Sequence, residues 1–167
     1  MNAYSLSNLC DKVPMDTTIR LPEDFREFLK LLEANDVEYL LVGGYAVGLY
    51  GYPRPTGDID FWISRSSENA DKVHRVFVEF GFASPEVSPE LFTLPKSIVR
   101  MGIAPFKIEV ITHIDGVHFD ECYSNRTNTK IDGCDVKLIS YDDLIANKKA
   151  SGRPKDINDL NELAGSR

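Results

Sequence analysis

The sequence has no long apolar run, no excess of positive charge and no set of paired cysteines. Nothing in its 167 residues approaches the roughly 20 consecutive apolar residues that a membrane-spanning helix needs. Its formal net charge is −7, which argues against a chain-wide attraction to nucleic acid or anionic lipid. Cys10, Cys122 and Cys134 are odd in number and lack metal-ligand spacing, which disfavours a disulfide framework or a zinc site. We therefore expect a cytoplasmic protein with no membrane partner.

The common nucleotide-binding loops are also missing. Neither G-x-x-x-x-G-K-[ST] nor G-x-G-x-x-G occurs, which disfavours kinase-like and Rossmann folds. The composition, with 43% hydrophobic and 10% aromatic residues, is sufficient for a buried core in one domain. Residues 1–20 show no clear periodicity, so we expect a flexible lead-in there and a single domain over residues 21–167.

Hydrophobic periodicity predicts an α+β fold, with a mixed sheet covered by helices. Helices are expected where apolar residues recur three or four apart, and strands where they alternate or form short runs. The predicted helices are Leu21–Asn35, Tyr45–Tyr50, Ser66–Phe80, Tyr141–Ser151 and Pro154–Ala164; the predicted strands are Tyr39–Val42, Asp58–Ile63, Ile98–Ile103, Phe106–Thr112, Asn125–Ile131 and Val136–Ser140. The chain therefore ends on two helices.

Two aspartates begin one predicted strand. Asp58 and Asp60 are two residues apart, so their side chains project from the same face. At about 4 Å and an effective dielectric near 20, two such charges repel by about 4 kcal/mol, so the pair needs a cation, a basic neighbour or a shared proton. Mg²⁺ meets this need, because it binds one or two carboxylates together with water and phosphate oxygens.

Glu109 is the candidate third ligand, because it is an acid in an otherwise apolar strand. Each of these acids also has an ordinary interpretation. A single Asp-x-Asp at a strand end is more often a turn or a cap, and Glu109 could face solvent opposite Lys107 and Arg100.

Gly43 and Gly44 stand between a predicted strand and a predicted helix. Without a Cβ, they let a phosphate approach the backbone N–H groups there. The pair is weak evidence alone, since many such turns need glycine only for its backbone conformation.

Four cations lie within eight residues near the C-terminus, at Lys148, Lys149, Arg153 and Lys155. Such a cluster can bind phosphates or pyrophosphate. The alternative is a solvated helix end, which is the interpretation we favour for Lys149. Asp156 is expected to pair with Arg153 or Lys148.

Three segments together resemble the nucleotidyltransferase superfamily with the DNA polymerase beta type fold: LVGGYA (41–46), RPTGDID (54–60) and IEVI (108–111). Residues 144–160 are similar to the closing motif of a bacterial and archaeal branch that includes AbiEii-like toxins of type IV toxin–antitoxin systems. The resemblance extends from Phe25 to Leu163.

The resemblance implies a role for each motif. The catalytic residues would be Asp58, Asp60, Glu109 and Lys148, with the three acids holding Mg²⁺, or Mn²⁺ in its place. The triphosphate-binding residues would be Gly43, Gly44, Arg54, Thr56, Arg153 and Lys155.

The implied reaction moves a nucleoside monophosphate from a nucleoside triphosphate (NTP) to an acceptor hydroxyl on RNA, protein or a small molecule, and pyrophosphate leaves. The alternative is a non-catalytic nucleotide-binding module, such as a toxin–antitoxin component with a partner protein. It is supported by Glu109, where many relatives carry the shorter Asp. A structural cation site without nucleotide is a third interpretation, which leaves Gly43, Gly44 and the basic cluster unexplained.

Overall fold

The computed structural model describes residues 19–166, so most of the expected lead-in lies outside the described residues, and Cys10 with it. The described chain forms one six-stranded mixed sheet with helices packed against it, which confirms the α+β prediction. Its helices are α1 (Glu23–Ala34), α2 (Gly43–Leu49), α3 (Ser67–Glu79), α4 (Phe119–Ser124), α5 (Tyr141–Ser151) and α6 (Pro154–Gly165). Its strands are β1 (Tyr39–Val42), β2 (Asp58–Ile63), β3 (Ile98–Ile103), β4 (Phe106–Ile111), β5 (Thr127–Ile131) and β6 (Cys134–Leu138).

The sheet has the strand order β3-β4-β2-β1-β6-β5. Strand β2 lies at its centre, parallel to β4 and antiparallel to β1. Phe61 of β2 packs against Phe28 of α1, with ring centroids 5.5 Å apart, and Phe28 packs against Phe77 of α3 at 5.8 Å. Helices α1 and α3 therefore cover the face of β2 that carries Phe61. Asp58 and Asp60 alternate with it and project from the other face.

Two short elements were not predicted from the sequence. A 3-10 helix spans Pro89–Phe92, and α4 has only six residues, too few for a helical period to show. Phe119 of α4 packs edge-on against Trp62 of β2, with ring centroids 5.1 Å apart. Within the described residues, no helix is both long and apolar enough to cross a membrane.

Other helix and strand boundaries differ from the predicted ones by a few residues, for local reasons. Strand β6 begins at Cys134, two residues earlier than predicted, because Asp132 and Gly133 make a tight turn with φ values of 47° and 78°. Helix α2 begins at Gly43, so both glycines belong to its first turn. Ser66 caps α3, and its side chain accepts a hydrogen bond from the Asn69 backbone N–H.

Asn69 ties the start of α3 to the ends of β1 and β2. Its side chain is buried, accepts from the Glu38 backbone N–H at 2.8 Å and donates to the carbonyl oxygens of Glu38 and Ser64 at 3.0 and 2.9 Å. We expect Asn69→Ala to lower the free energy of unfolding by about 2 kcal/mol, because three hydrogen bonds are lost and the backbone groups of Glu38 and Ser64 are left without them. Urea denaturation measures this change. Asn128→Ala, at an exposed position, is the control and should change it by less than about 0.5 kcal/mol.

Candidate active site

The three candidate acids lie on one face of the sheet. Asp60 of β2 is in register with Glu109 of the parallel strand β4, and Asp58 precedes Asp60 by two residues. Residues in register on neighbouring strands share a face, and strands lie about 4.8 Å apart. The carboxylates of β2 therefore stand beside that of β4, as the proposed metal site requires.

Asp60 and Glu109 are neighbours, and each affects the ionisation of the other. Burial raises the pKa of Asp60 above its ordinary value, and the hydrogen bond to Glu109 raises it further. Burial acts against ionisation of Glu109 as well, but hydrogen bonds from Asp60 and Arg100 outweigh it, so the pKa of Glu109 is lowered. Of the two carboxyl groups, Asp60 is therefore the harder to ionise.

Arg100 is a site residue that the sequence analysis did not assign. It lies on β3 opposite Glu109, and its Nε is 2.5 Å from Glu109 Oε1. The Arg100 side chain is 60% exposed, whereas that of Glu109 is 15% exposed. The sequence analysis named Arg100 only in the alternative in which Glu109 faces solvent.

The glycine turn lies directly against the acids. Gly43 has a φ of 68°, and a Cβ built there would collide with the Asp60 carboxylate. A Cβ on Gly44 would lie 2.9 Å from Thr56 Oγ1, and that hydroxyl donates to the Asp58 carbonyl at 3.2 Å. The start of α2 and the loop before β2 therefore fit together only because both positions lack a side chain.

Lys148 is buried between two acids of α6. Its Nζ lies 2.9 Å from Asp156 Oδ1 and 3.0 Å from Asp159 Oδ2, and both carboxyl side chains are fully buried. The expected pairing of Asp156 with Lys148 is therefore present, whereas Asp159 was missed. Asp156 and Asp159 are three residues apart on α6, the spacing of neighbours on one helix face. Lys148 lines the cavity described below, but its ammonium is engaged in fixing α5 to α6.

Two arginines complete this ion-pair network. Arg54, from the loop before β2, binds Asp159 through Nε at 2.8 Å and a second nitrogen at 3.0 Å. Arg153 binds Asp156 through Nε at 2.7 Å, and the Arg153 backbone N–H also donates to Asp156 at the start of α6. The network thus joins the loop that carries Thr56 to both C-terminal helices.

Lys155 differs from the other basic residues of the predicted set. It is exposed, and within residues 19–166 no carboxylate lies within 4.0 Å of its ammonium. Its positive charge opposes the rise that burial causes in the pKa of Asp60, and it adds to the lowering of the pKa of Glu109. Lys155 therefore combines a charge that reaches the acids with an ammonium that is available to a ligand.

All ten predicted site residues line one cavity of about 530 Å³: Gly43, Gly44, Arg54, Thr56, Asp58, Asp60, Glu109, Lys148, Arg153 and Lys155. His113 and Asp115 of the loop after β4 and Asn147 of α5 line it too and were not predicted. The loop after β4 carries no motif. Asn147 Nδ2 donates to the Asp115 carbonyl at 2.9 Å, which holds this loop against α5.

The acids match Mg²⁺ in donor chemistry, since they offer carboxylate oxygens on one face and their like charges need compensation. Within the described residues, however, no three His, Cys, Asp or Glu side chains are already arranged around a metal position. Glu109 is instead held between Asp60 and Arg100. The donor set fits the ion, provided that Glu109 leaves Arg100.

The fold and the comparisons with known proteins define the class of protein. The structure of TM1012 from Thermotoga maritima, described as a candidate nucleotidyltransferase, superposes with a TM-score of 0.57 over 86% of this chain and 91% of that chain, at 20% sequence identity. The mixed sheet is thus a nucleotidyltransferase fold. A family described as nucleotidyl transferase of unknown function (DUF2204) matches residues 22–166, so the chain belongs to that family. No curated protein matches the chain. The AbiEii-like branch stays a prediction.

Replacing Lys148 tests the buried network. We expect Lys148→Met to lower the free energy of unfolding by about 3–5 kcal/mol, because Asp156 and Asp159 would stay buried without their shared cation. Denaturant unfolding at pH 7 measures the change. Lys149→Met, at the exposed next position, is the matched control and should leave stability within about 0.5 kcal/mol.

The same network predicts acid sensitivity. Despite the opposing effect of burial, hydrogen bonds and charge from the neighbouring cations lower the pKa of Asp156 and of Asp159. Their stabilisation is therefore complete above the unfolded-state pKa of about 3.9 and is lost as the pH falls towards the folded values. Melting temperatures from pH 7 down to pH 2 should fall steeply below about pH 4 in the wild type. Lys148→Met should fall less steeply, and parallel curves would contradict the assignment.

Proposed function

We propose that this protein transfers a nucleoside monophosphate from an NTP to an acceptor hydroxyl, with Mg²⁺ or Mn²⁺ held by Asp58, Asp60 and Glu109. The observation that carries the proposal is the contact between the glycine turn and the acids: Gly43 leaves no room for a Cβ beside the Asp60 carboxylate. A triphosphate on this turn would have its phosphates beside the metal ligands. Family membership supports the reaction class.

Each group of cavity residues has its own role in the proposed transfer. Gly43 and Gly44 admit the triphosphate to the backbone, and Lys155 offsets its charge. The metal, when bound, supplies positive charge to the reacting phosphate and lowers the pKa of the attacking hydroxyl. That oxygen bonds to the α-phosphorus as the bond to pyrophosphate breaks, and Glu109 takes the hydroxyl proton. Arg54, Arg153 and Lys148 hold the basic wall in position through Asp156 and Asp159.

The acceptor must reach the cavity from the protein surface. The proposed acceptor is RNA, a protein or a small molecule. A partner protein from a toxin–antitoxin pair could supply the acceptor hydroxyl. The net charge of −7 favours an acceptor that contacts the protein locally around the cavity.

Asp60→Asn tests the metal-dependent reaction. Wild-type protein incubated with each labelled NTP, Mg²⁺ or Mn²⁺ and a cell extract should give a labelled product. The variant should lose at least about a hundredfold in rate, because a neutral amide replaces a metal-binding carboxylate. Its melting temperature without metal should not fall, since a buried carboxyl beside Glu109 is removed.

Asp135→Asn, an exposed acid on β6 outside the cavity, is the control and should keep full activity. Undiminished transfer by Asp60→Asn would refute the assignment. Saturable NTP binding by the wild type without any labelled product would favour the non-catalytic module.

Lys155→Gln tests triphosphate binding separately from turnover. We expect the dissociation constant of the Mg²⁺–NTP complex to rise about tenfold, because one charge-assisted phosphate contact is lost. Isothermal titration calorimetry measures this directly. Lys149→Gln is the matched control, since Lys149 lies outside the cavity. Equal affinities in the two variants would argue against a role for Lys155.

A further inference from the structure

Arg100 forms an ion pair with Glu109, the third candidate metal ligand. Its Nε lies 2.5 Å from Glu109 Oε1, and it lines the same cavity as the acids. Val42, Asp60, Glu109 and Arg100 are in register across β1, β2, β4 and β3. Arg100 is thus two strand spacings, roughly 10 Å, from Asp60, on the side of the acids away from the glycine turn.

The contact serves two needs of the protein without metal. It supplies positive charge to a carboxylate that stands beside two other acids, and it fixes the direction of the Glu109 side chain. The same contact hinders metal binding, because the Glu109 oxygen that pairs with Arg100 is a prospective metal ligand. A guanidinium and Mg²⁺ would compete for that oxygen, because their like charges repel at close range.

The Arg100 side chain is able to move away from Glu109. The side chain is 60% exposed on β3, which lies at an edge of the sheet, so it can leave Glu109 without disturbing the core. By contrast, the arginine that holds the C-terminal network, Arg54, is 21% exposed and forms two bonds to one fully buried carboxylate.

We propose that Arg100 is a positioning residue that holds Glu109 in the metal-free protein and is displaced from it when the metal binds. Arg100 acts through Glu109 and not as a metal ligand or a catalytic group. It sets the metal affinity of the cluster, because part of the binding free energy is used to break its ion pair. The inference rests on the proposed metal site and adds to it a competition between a side chain and the ion.

Mn²⁺ binding tests the proposal without any need for turnover. The free Mn²⁺ signal in electron paramagnetic resonance gives the dissociation constant for the full chain. Arg100→Gln should bind Mn²⁺ about three- to fivefold more tightly than the wild type, as expected for release of a largely exposed ion pair. Arg100→Lys, which keeps the charge, should lie between the two. Lys130→Gln, which removes an exposed paired cation on β5, should match the wild type.

A second pair of variants separates the ion pair from a general effect of charge. Loss of a positive charge would help any nearby cation to bind, with or without Glu109. In a Glu109→Gln background, the change from Arg100 to Gln should therefore alter Mn²⁺ affinity by less than about 1.5-fold if Arg100 acts through Glu109.

The outcomes distinguish this inference from the function on which it rests. Wild-type affinity in Arg100→Gln, weaker binding, or the same gain in the Glu109→Gln background would each overturn the role of Arg100 and leave the metal site standing. A wild type that does not bind Mn²⁺ at millimolar concentration would overturn both.

Discussion

The concentration of negative charge on one face of the sheet is the constraint on which the site depends. The parallel register of β2 and β4 sets Asp60 beside Glu109, and the two-residue repeat of a strand adds Asp58. Such a cluster is stable only with compensation. The guanidinium of Arg100 and the more distant charge of Lys155 supply positive charge, and burial raises the pKa of Asp60, which disfavours its charged form. All three residues line the cavity, where the proposed metal and triphosphate would bind.

A second set of charges has the opposite character, because it is buried and already paired. Lys148 joins Asp156 and Asp159, and the two arginines on its flanks extend the contact to the loop before β2 and to the start of α6. Breaking such a network costs more than an exposed pair would, since its members have no water to replace a lost partner. The network gives the wall opposite the acids a fixed geometry and leaves Lys155 beside it for a ligand.

The sequence predicted the sheet and ten of the residues that line the cavity, but not Arg100 or the residues of the loop after β4. Strand β2 and helix α5 were predicted to the residue, because Gly57 and Gly152 border clear periodic segments. The side-chain partners were not predictable in the same way. Arg100 and Asp159 belong to the site through tertiary pairing, which no spacing within one element reveals. For Lys148 the resemblance implied a catalytic role, but the two buried acids that engage its ammonium are known only from the packing of α6.

The length of Glu109 follows from the contacts it makes. From β4 its carboxylate reaches Asp60 on one neighbouring strand and Arg100 on the other. An aspartate would draw the carboxylate back towards β4 by roughly one carbon–carbon bond, which weakens a contact that spans strands about 4.8 Å apart on either side. The longer Glu109 side chain is therefore what lets one carboxylate contact residues of both neighbouring strands. The residue that suggested a lost activity has a structural reason for its length, and the proposed exchange of Arg100 for a metal would use the same reach.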